Sequence, residues 1–214
     1  MIIESAAVPP FEKNGFVLAC ERTLEGVLID PGDEVETLLA FVERRAVTIK
    51  YILLTHAHMD HVSGVARAKR ALGVPIGLHR DDQFLYERAV QQGQAFGIQV
   101  EAPPPVDFFY DGSGPWRFGD YEVRVHHTPG HCPGGVCLQV GKAGAVGRQL
   151  FVGDTLFAGS VGRTDLPGGD HDTLIRSIKD VLFGFGDEAE VYPGHGPSTT
   201  IGRERRTNPF LIDR

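Results

Sequence analysis

Apolar residues fall along the chain in short runs punctuated by glycine, proline and aspartate, and these runs alternate with stretches of helical spacing. The segments "GFVLAC", "GVLID", "YILLT", "PIGL", "YEVRVHH", "GVCLQV", "QLFVG" and "AEVY" have the length and residue types of strands, several bounded by turn residues. Helical periodicity marks Glu34 to Arg45, where Val35, Leu38, Leu39 and Val42 share one face, and His61 to Leu72. A third helix is predicted over Asp172 to Phe183, with Asp172 as N-cap and Leu174, Ile175, Ile178, Val181 and Leu182 as its apolar stripe. Asp81 to Gln94 carries a weaker helical pattern, and "EAPPPVDFFYDGSGP" reads as an extended surface loop. The alternation predicts an α/β fold in which helices cover a sheet or a pair of sheets, as one domain over residues 1–214.

Composition narrows the function classes. With 214 residues, 42% of them hydrophobic, the chain can bury a substantial core. A formal charge of −7, with no long basic run, argues against nucleic acid and anionic membranes as partners. The N-terminus lacks the basic and apolar regions of a leader, and no apolar run approaches the roughly 20 residues that span a bilayer. A soluble, cytoplasmic protein is therefore expected. Three cysteines, Cys20, Cys132 and Cys137, without a C-x-x-C, are too few for a disulfide framework and are expected to be reduced thiols.

The chemistry concentrates in "THAHMDHVSG", which follows the apolar run "YILL". Along an extended segment, residues two apart project to the same side, so His56 and His58 are placed to ligate one ion. Asp60 and His61 lie at the turn into the next helix, where a different backbone direction suits them to a second ion nearby. Three later segments each place one further ligand beside glycine after an apolar strand. They are "VHHTPGHCPGG" with His131, "LFVGDTLF" with Asp154, and "EVYPGHGP" with His195.

With these motifs the sequence resembles the metallo-β-lactamase superfamily, and within it the glyoxalase II-like (hydroxyacylglutathione hydrolase-like) hydrolases. The resemblance runs from "NGFVLAC" through "THAHMDH", "TPGHCPGG", "FVGDTLF" and "YPGHGP" to "TNPF". It implies a four-layer αββα sandwich with a dinuclear metal site at one edge. In that arrangement His56, His58 and His131 hold the first ion, Asp60, His61 and His195 the second, and Asp154 bridges both. Imidazoles and carboxylates suit zinc, with iron or manganese as alternatives.

The expected reaction is attack by a metal-bridging hydroxide on a small thioester of S-lactoylglutathione type, or on an ester, with Asp60 orienting the hydroxide. The main alternative is a glutathione-persulfide dioxygenase with one Fe(II) on His56, His131 and Asp154. Lactonase or β-lactamase activity ranks below both, since the B1-type enzymes carry a cysteine where Asp154 stands and the B3-type pattern lacks this bridging aspartate. For the substrate, Arg203, Arg205 and Arg206 are candidates to bind glutathione carboxylates, against a solvated helix face as the plainer reading. Arg163 either braces its loop by pairing with Asp165 or touches substrate. Full-length glyoxalase II enzymes carry an extra helical domain after the last ligand histidine, whereas 19 residues follow His195. Cys132 is read as a small buried filler, Cys20 and Cys137 as core, and His79, His126 and His127 as structural.

Overall fold

Two six-stranded sheets pack face to face between two layers of helix in the computed structural model, which describes residues 1–112 and 114–212. The first sheet is built in chain order from β1 (Ile2–Ala6), β2 (Gly15–Ala19), β3 (Glu25–Ile29), β4 (Thr48–Leu53), β5 (Ile76–Leu78) and β6 (Phe108–Phe109). Helices α1 (Val35–Arg44), α2 (Met59–Val62), α3 (Val65–Leu72), α4 (Gln83–Glu87) and α5 (Ala89–Ala95) connect its later strands. The second half supplies β7 (Trp116–Phe118), β8 (Tyr121–His127), β9 (Val136–Lys142) and β10 (Gln149–Gly153). After them come a small hairpin of β11 (Leu156–Phe157) and β12 (Ser160–Val161), α6 (His171–Asp180), β13 (Glu190–Pro193), β14 (Thr199–Thr200) and α7 (Ile201–Thr207). The second sheet has the order β14-β13-β10-β9-β8-β7.

Strand periodicity sorts the core into three apolar layers. Phe16, Leu18, Val27, Ile29 and Leu53 meet Phe118, Val123, Leu138 and Phe151 between the sheets. Their sequence neighbours Val17, Ala19, Leu28 and Ile52 point the other way, onto Val35, Leu38, Phe41 and Val42 of α1. On the far side, Cys137, Leu150, Val152 and Val191 pack against Leu174, Ile178 and Leu182. Both faces of each sheet are thus buried, which is why the central strands read as continuous apolar runs.

Strand direction brings the chemistry to one edge. Strands β3, β4 and β5 are mutually parallel, and β10 is parallel to β13. Because β8 and β10 both pair antiparallel with β9, β8 runs in the same direction as β10. The segments leaving the carboxyl ends of β4, β8, β10 and β13 are the ones that carry the ligand-type residues, the usual position for sites in layered α/β proteins.

Several predicted elements are corrected. The helix expected over His61 to Leu72 is broken into α2 and α3 at Ser63 and Gly64. A side chain at Gly64 would overlap the Gly32 carbonyl and Val35, so glycine lets α3 start against that loop. The N-cap of α6 is Asp170, whose carboxylate accepts the Thr173 N–H at 2.7 Å, and Asp172 lies inside the first turn. Asp81 to Gln94 resolves into a 3₁₀ turn at Arg80–Asp82 followed by α4 and α5. The stretch taken as a surface loop contributes β6 and the buried Tyr110, whose hydroxyl donates to Gly77 O at 2.9 Å and accepts the Leu54 N–H at 3.0 Å. Strands β1 and β7 were not predicted; their half-exposed patterns lack a continuous apolar run. No helix of the described residues is long and apolar enough to cross a membrane.

Candidate metal centre

Seven side chains converge where the four loops meet. His56, His58 and His131 place one donor atom each within 4.8 Å of one another, and Asp60, His61 and His195 do the same. Asp154 lies between the two groups. Its Oδ2 is 3.7 Å from His131 Nε2 and 3.5 Å from His195 Nε2, and its Oδ1 is 3.3 Å from His61 Nε2. Asp60 Oδ2 stands 3.2 Å from His195 Nε2. The predicted ligand residues are therefore brought together, and Asp30, His56 and His61 form a further group that overlaps both sets.

Whether these residues fit cations is answered by their unmet polar atoms. His56 Nε2, His58 Nε2, His61 Nε2 and Asp154 Oδ1 are buried without a hydrogen-bond partner. Such orphans cost roughly 1–3 kcal/mol each, and three of them, on His56, His61 and Asp154, face the cluster and call for a ligand. Charge points the same way. Burial alone would lower the His61 pKa, yet the carboxylates of Asp154 and Asp60 push it up to about 10, so the pocket demands positive charge. His58 responds in the opposite direction: burial, then the neighbouring His131 ring, holds it down to about 3, leaving neutral imidazole with a free lone pair.

The outer nitrogens of the rings are held by protein acceptors, which fixes the tautomers. His131 Nδ1 bonds Arg163 O at 2.7 Å, His195 Nδ1 bonds Phe11 O at 3.1 Å, and His61 Nδ1 bonds Asp30 Oδ2 at 3.0 Å. Thr55 Oγ1 donates to Asp30 Oδ2 at 2.5 Å and so accepts from His56 Nδ1 at 3.1 Å. With Nδ1 turned outward to an acceptor in each case, Nε2 is the ring atom left to face the cluster. His58 is turned the other way, its Nδ1 facing His131 Nε2 at 2.7 Å.

Two buried aspartates that sequence reasoning missed organise this frame. Asp30 follows β3 with a positive φ of 47°, rare for a residue with a Cβ. That turn lets its carboxylate accept the Thr55 N–H at 2.7 Å as well as the Thr55 hydroxyl and His61, while its carbonyl accepts from Lys13. Lys13 is itself buried against Glu34 at 2.6 Å. Asp82 is fully buried and accepts the Ala57 N–H at 2.9 Å, the Gly134 N–H at 2.6 Å and the Cys132 thiol at 3.2 Å. One carboxylate thus ties the backbone between His56 and His58 to the loop that carries His131. The only sequence signal was apolar strand followed by aspartate for Asp30, the pattern that singled out Asp154. Asp82 had none.

The predicted substrate residues are scattered. Arg163 lines the cavity over the cluster, but its guanidinium is held by Asp165 through contacts of 2.7 and 2.6 Å. Arg205 bonds Phe183 O at 2.7 Å and lies 3.4 Å from Asp187, and Arg206 pairs with Asp187 at 3.0 Å. Arg203 lines a separate depression with Glu190 and Tyr192. None of these three reaches the cavity, so the structure supports the solvated-helix reading of the arginine cluster. His126 bonds Gln139, and His127 bonds Pro133 O. His79, Asp81 and His127 form another group of ligand-type residues, but the two rings stack at 4.1 Å and 10°, so their lone pairs lie in parallel planes without a common focus. Cys132 is buried as expected, with the added bond to Asp82.

Comparison with known proteins agrees with this geometry. The family description "Metallo-beta-lactamase superfamily" matches residues 11–195. Hydroxyacylglutathione hydrolase GloC of Haemophilus influenzae is 38% identical over 213 residues, covering 99% of this chain and 98% of that protein. Among solved structures, the BLEG-1 B3 metallo-beta-lactamase is similar with a TM-score of 0.89 and 34% identity, over 99% of this chain and 100% of that one. TTHA1623, in a di-iron-bound form, is similar with a TM-score of 0.84 and 43% identity, over 97% and 100%.

Proposed function

The chain belongs to the metallo-beta-lactamase superfamily, and on that premise we propose that it is a metal-dependent hydrolase of a small thioester of S-lactoylglutathione type, or of an ester. The observation that carries this reading is the pair of three-residue clusters joined by Asp154, with buried atoms of His56, His61 and Asp154 that lack partners. His56, His58 and His131 would hold one ion, Asp60, His61 and His195 the other, and Asp154 both. Two divalent ions so held would supply hydroxide at neutral pH, by lowering the pKa of water from about 15.7 to near 7, and would polarise a carbonyl.

The chain's own residues do the rest. Asp60, beside His195 at 3.2 Å, accepts a hydrogen bond from the attacking water and orients it. Phe157, Val161 and Met59 line the cavity and limit bulk water around the carbonyl. A thiolate of thiol pKa about 8.5 departs with little need of protonation, so no separate general acid is required. Zinc is the proposed metal; the donor set also admits iron or manganese, and the di-iron form of TTHA1623 supports iron. GloC of Haemophilus influenzae, named a hydroxyacylglutathione hydrolase, supports the thioester.

The dioxygenase reading needs one ion on His56, His131 and Asp154 and leaves Asp60, His61 and His195 without a task, which favours the hydrolase. One paired assay separates them: metal content of protein purified without chelator, alongside hydrolysis of S-D-lactoylglutathione and of a simple thioester, and O₂ uptake with glutathione persulfide. About two metals per chain with thioester turnover is the expected result. One iron with persulfide-dependent O₂ uptake would overturn it.

A further inference from the structure

The walls of the cavity above the metal cluster carry information about the substrate that the metal ligands do not. The cavity, of about 380 Å³, is flanked by Phe11, Met59, Phe96, Phe157, Val161 and Leu166. Phe96 is 54% exposed, one of few large apolar side chains left in water, and it stands at the rim with its ring edge-to-face on Phe11 at 6.2 Å. An exposed Phe96 on a half-buried Phe11, beside a polar cluster, marks a surface that gains by covering apolar groups.

The polar side chains on the same wall are already engaged. Gln92 accepts the Met59 N–H at 3.2 Å and donates to Leu85 O at 2.7 Å and Ala57 O at 3.3 Å. Arg163, the one lysine or arginine among the described residues lining the cavity, is paired with Asp165 at 2.6 Å. Arg205 and Arg206 are paired with Asp187 outside the cavity, and Lys13 is buried against Glu34. Among the described residues lining the cavity outside the metal cluster, none offers an unpaired cation to the two carboxylates of a glutathione moiety, whereas the phenyl rings offer contact to an uncharged group.

We propose that the preferred substrate is a thioester or ester with an uncharged, apolar acyl group, aromatic or short aliphatic, held by Phe96 and its neighbours, and that a glutathione leaving group adds nothing to recognition. This rests on the metal-dependent hydrolase reading and departs from its S-lactoylglutathione form in both the acyl and the thiol part. Water is consumed, the acyl–sulfur or acyl–oxygen bond breaks, and a carboxylic acid and a thiol or alcohol are released.

The test varies acyl and leaving groups separately, using the metal-replete full chain with S-acetyl-N-acetylcysteamine, S-phenylacetyl-N-acetylcysteamine and S-phenylacetylglutathione. The expected kcat/KM for phenylacetyl exceeds that for acetyl by at least about tenfold, the scale of burying part of a phenyl ring in an apolar contact. Glutathione in place of N-acetylcysteamine changes it by less than about twofold. Phe96→Ala, at an exposed position that does not threaten folding, lowers the phenylacetyl-to-acetyl ratio about tenfold. Equal turnover of the two acyl groups, a ratio untouched by Phe96→Ala, or a tenfold gain from glutathione would each overturn the proposal while leaving the hydrolase intact. No turnover of any thioester by folded, metal-loaded protein would overturn both.

Discussion

The carboxylate of Asp82 makes the frame of the three-histidine cluster open to a direct perturbation. Asp82→Asn keeps the size of the side chain but replaces one acceptor oxygen with an N–H₂ that must face a donor. The donors are fixed: the Ala57 and Gly134 N–H groups and the Cys132 thiol. A side chain at Gly134 would come within 2.6 Å of the Asp82 backbone nitrogen, so the two segments are in tight contact and have little room to rearrange. Loss of a charge-assisted bond costs about 1.5–3 kcal/mol, and a buried N–H left unmet costs about 1–3 kcal/mol. The variant is therefore expected to lose about 2–4 kcal/mol, a fall in Tm of roughly 5–15 °C for a chain of this size. Because Ala57 sits between His56 and His58, and Cys132 adjoins His131, metal affinity at that cluster should fall about 10–100-fold, the usual effect of removing a residue that orients ligands. The other cluster, positioned by Asp30 and Phe11 O, should be spared. Thermal unfolding of the apo-protein measures the first effect, and competition with a zinc-binding dye the second. A Tm within about 1 °C of wild type, together with two unchanged metal affinities, would refute the reasoning.

Two further outcomes follow from the same geometry. Gly194→Ala places a methyl group against Asp154 Oδ1 and the His61 ring, and should abolish tight metal binding while the far side of the core stays folded; unchanged metal content by mass spectrometry would contradict it. Chelation of bound metal should lower Tm by roughly 5–11 °C if the free ion stood near 100 times its Kd, since about 2.7 kcal/mol of linkage is withdrawn; a scan insensitive to chelator would mean that the native state gains nothing from metal.

The chemistry of the centre was legible because ligand identity is a property of residue type, and H-x-H-x-D-H places four donors within six positions. Central strands were legible for a related reason: both faces of each sheet are covered, so "GFVLAC" and "GVCLQV" read as unbroken apolar runs. Half-exposed edge strands gave no such run, and β1 and β7 went unread. The break at Ser63 and Gly64 depends on a close approach to the Gly32 carbonyl, a contact between segments that periodicity cannot register. Asp82 was unreadable for the same reason, since its three donors come from positions 57, 132 and 134. The arginine cluster admitted two readings, and for Arg205 and Arg206 the carboxylate that guanidinium chemistry accepts is Asp187 of the same chain.

Asp154 lies within 3.7 Å of histidines from both clusters, and the central claim, a two-metal centre sharing that carboxylate, stands or falls with it. The direct measurement is metal content per chain and thioester hydrolysis for wild type and Asp154→Ala, purified side by side without chelator. The account predicts about two ions and turnover in the wild type, with metal and activity lost together in the variant. A variant that kept both ions and its activity would contradict it.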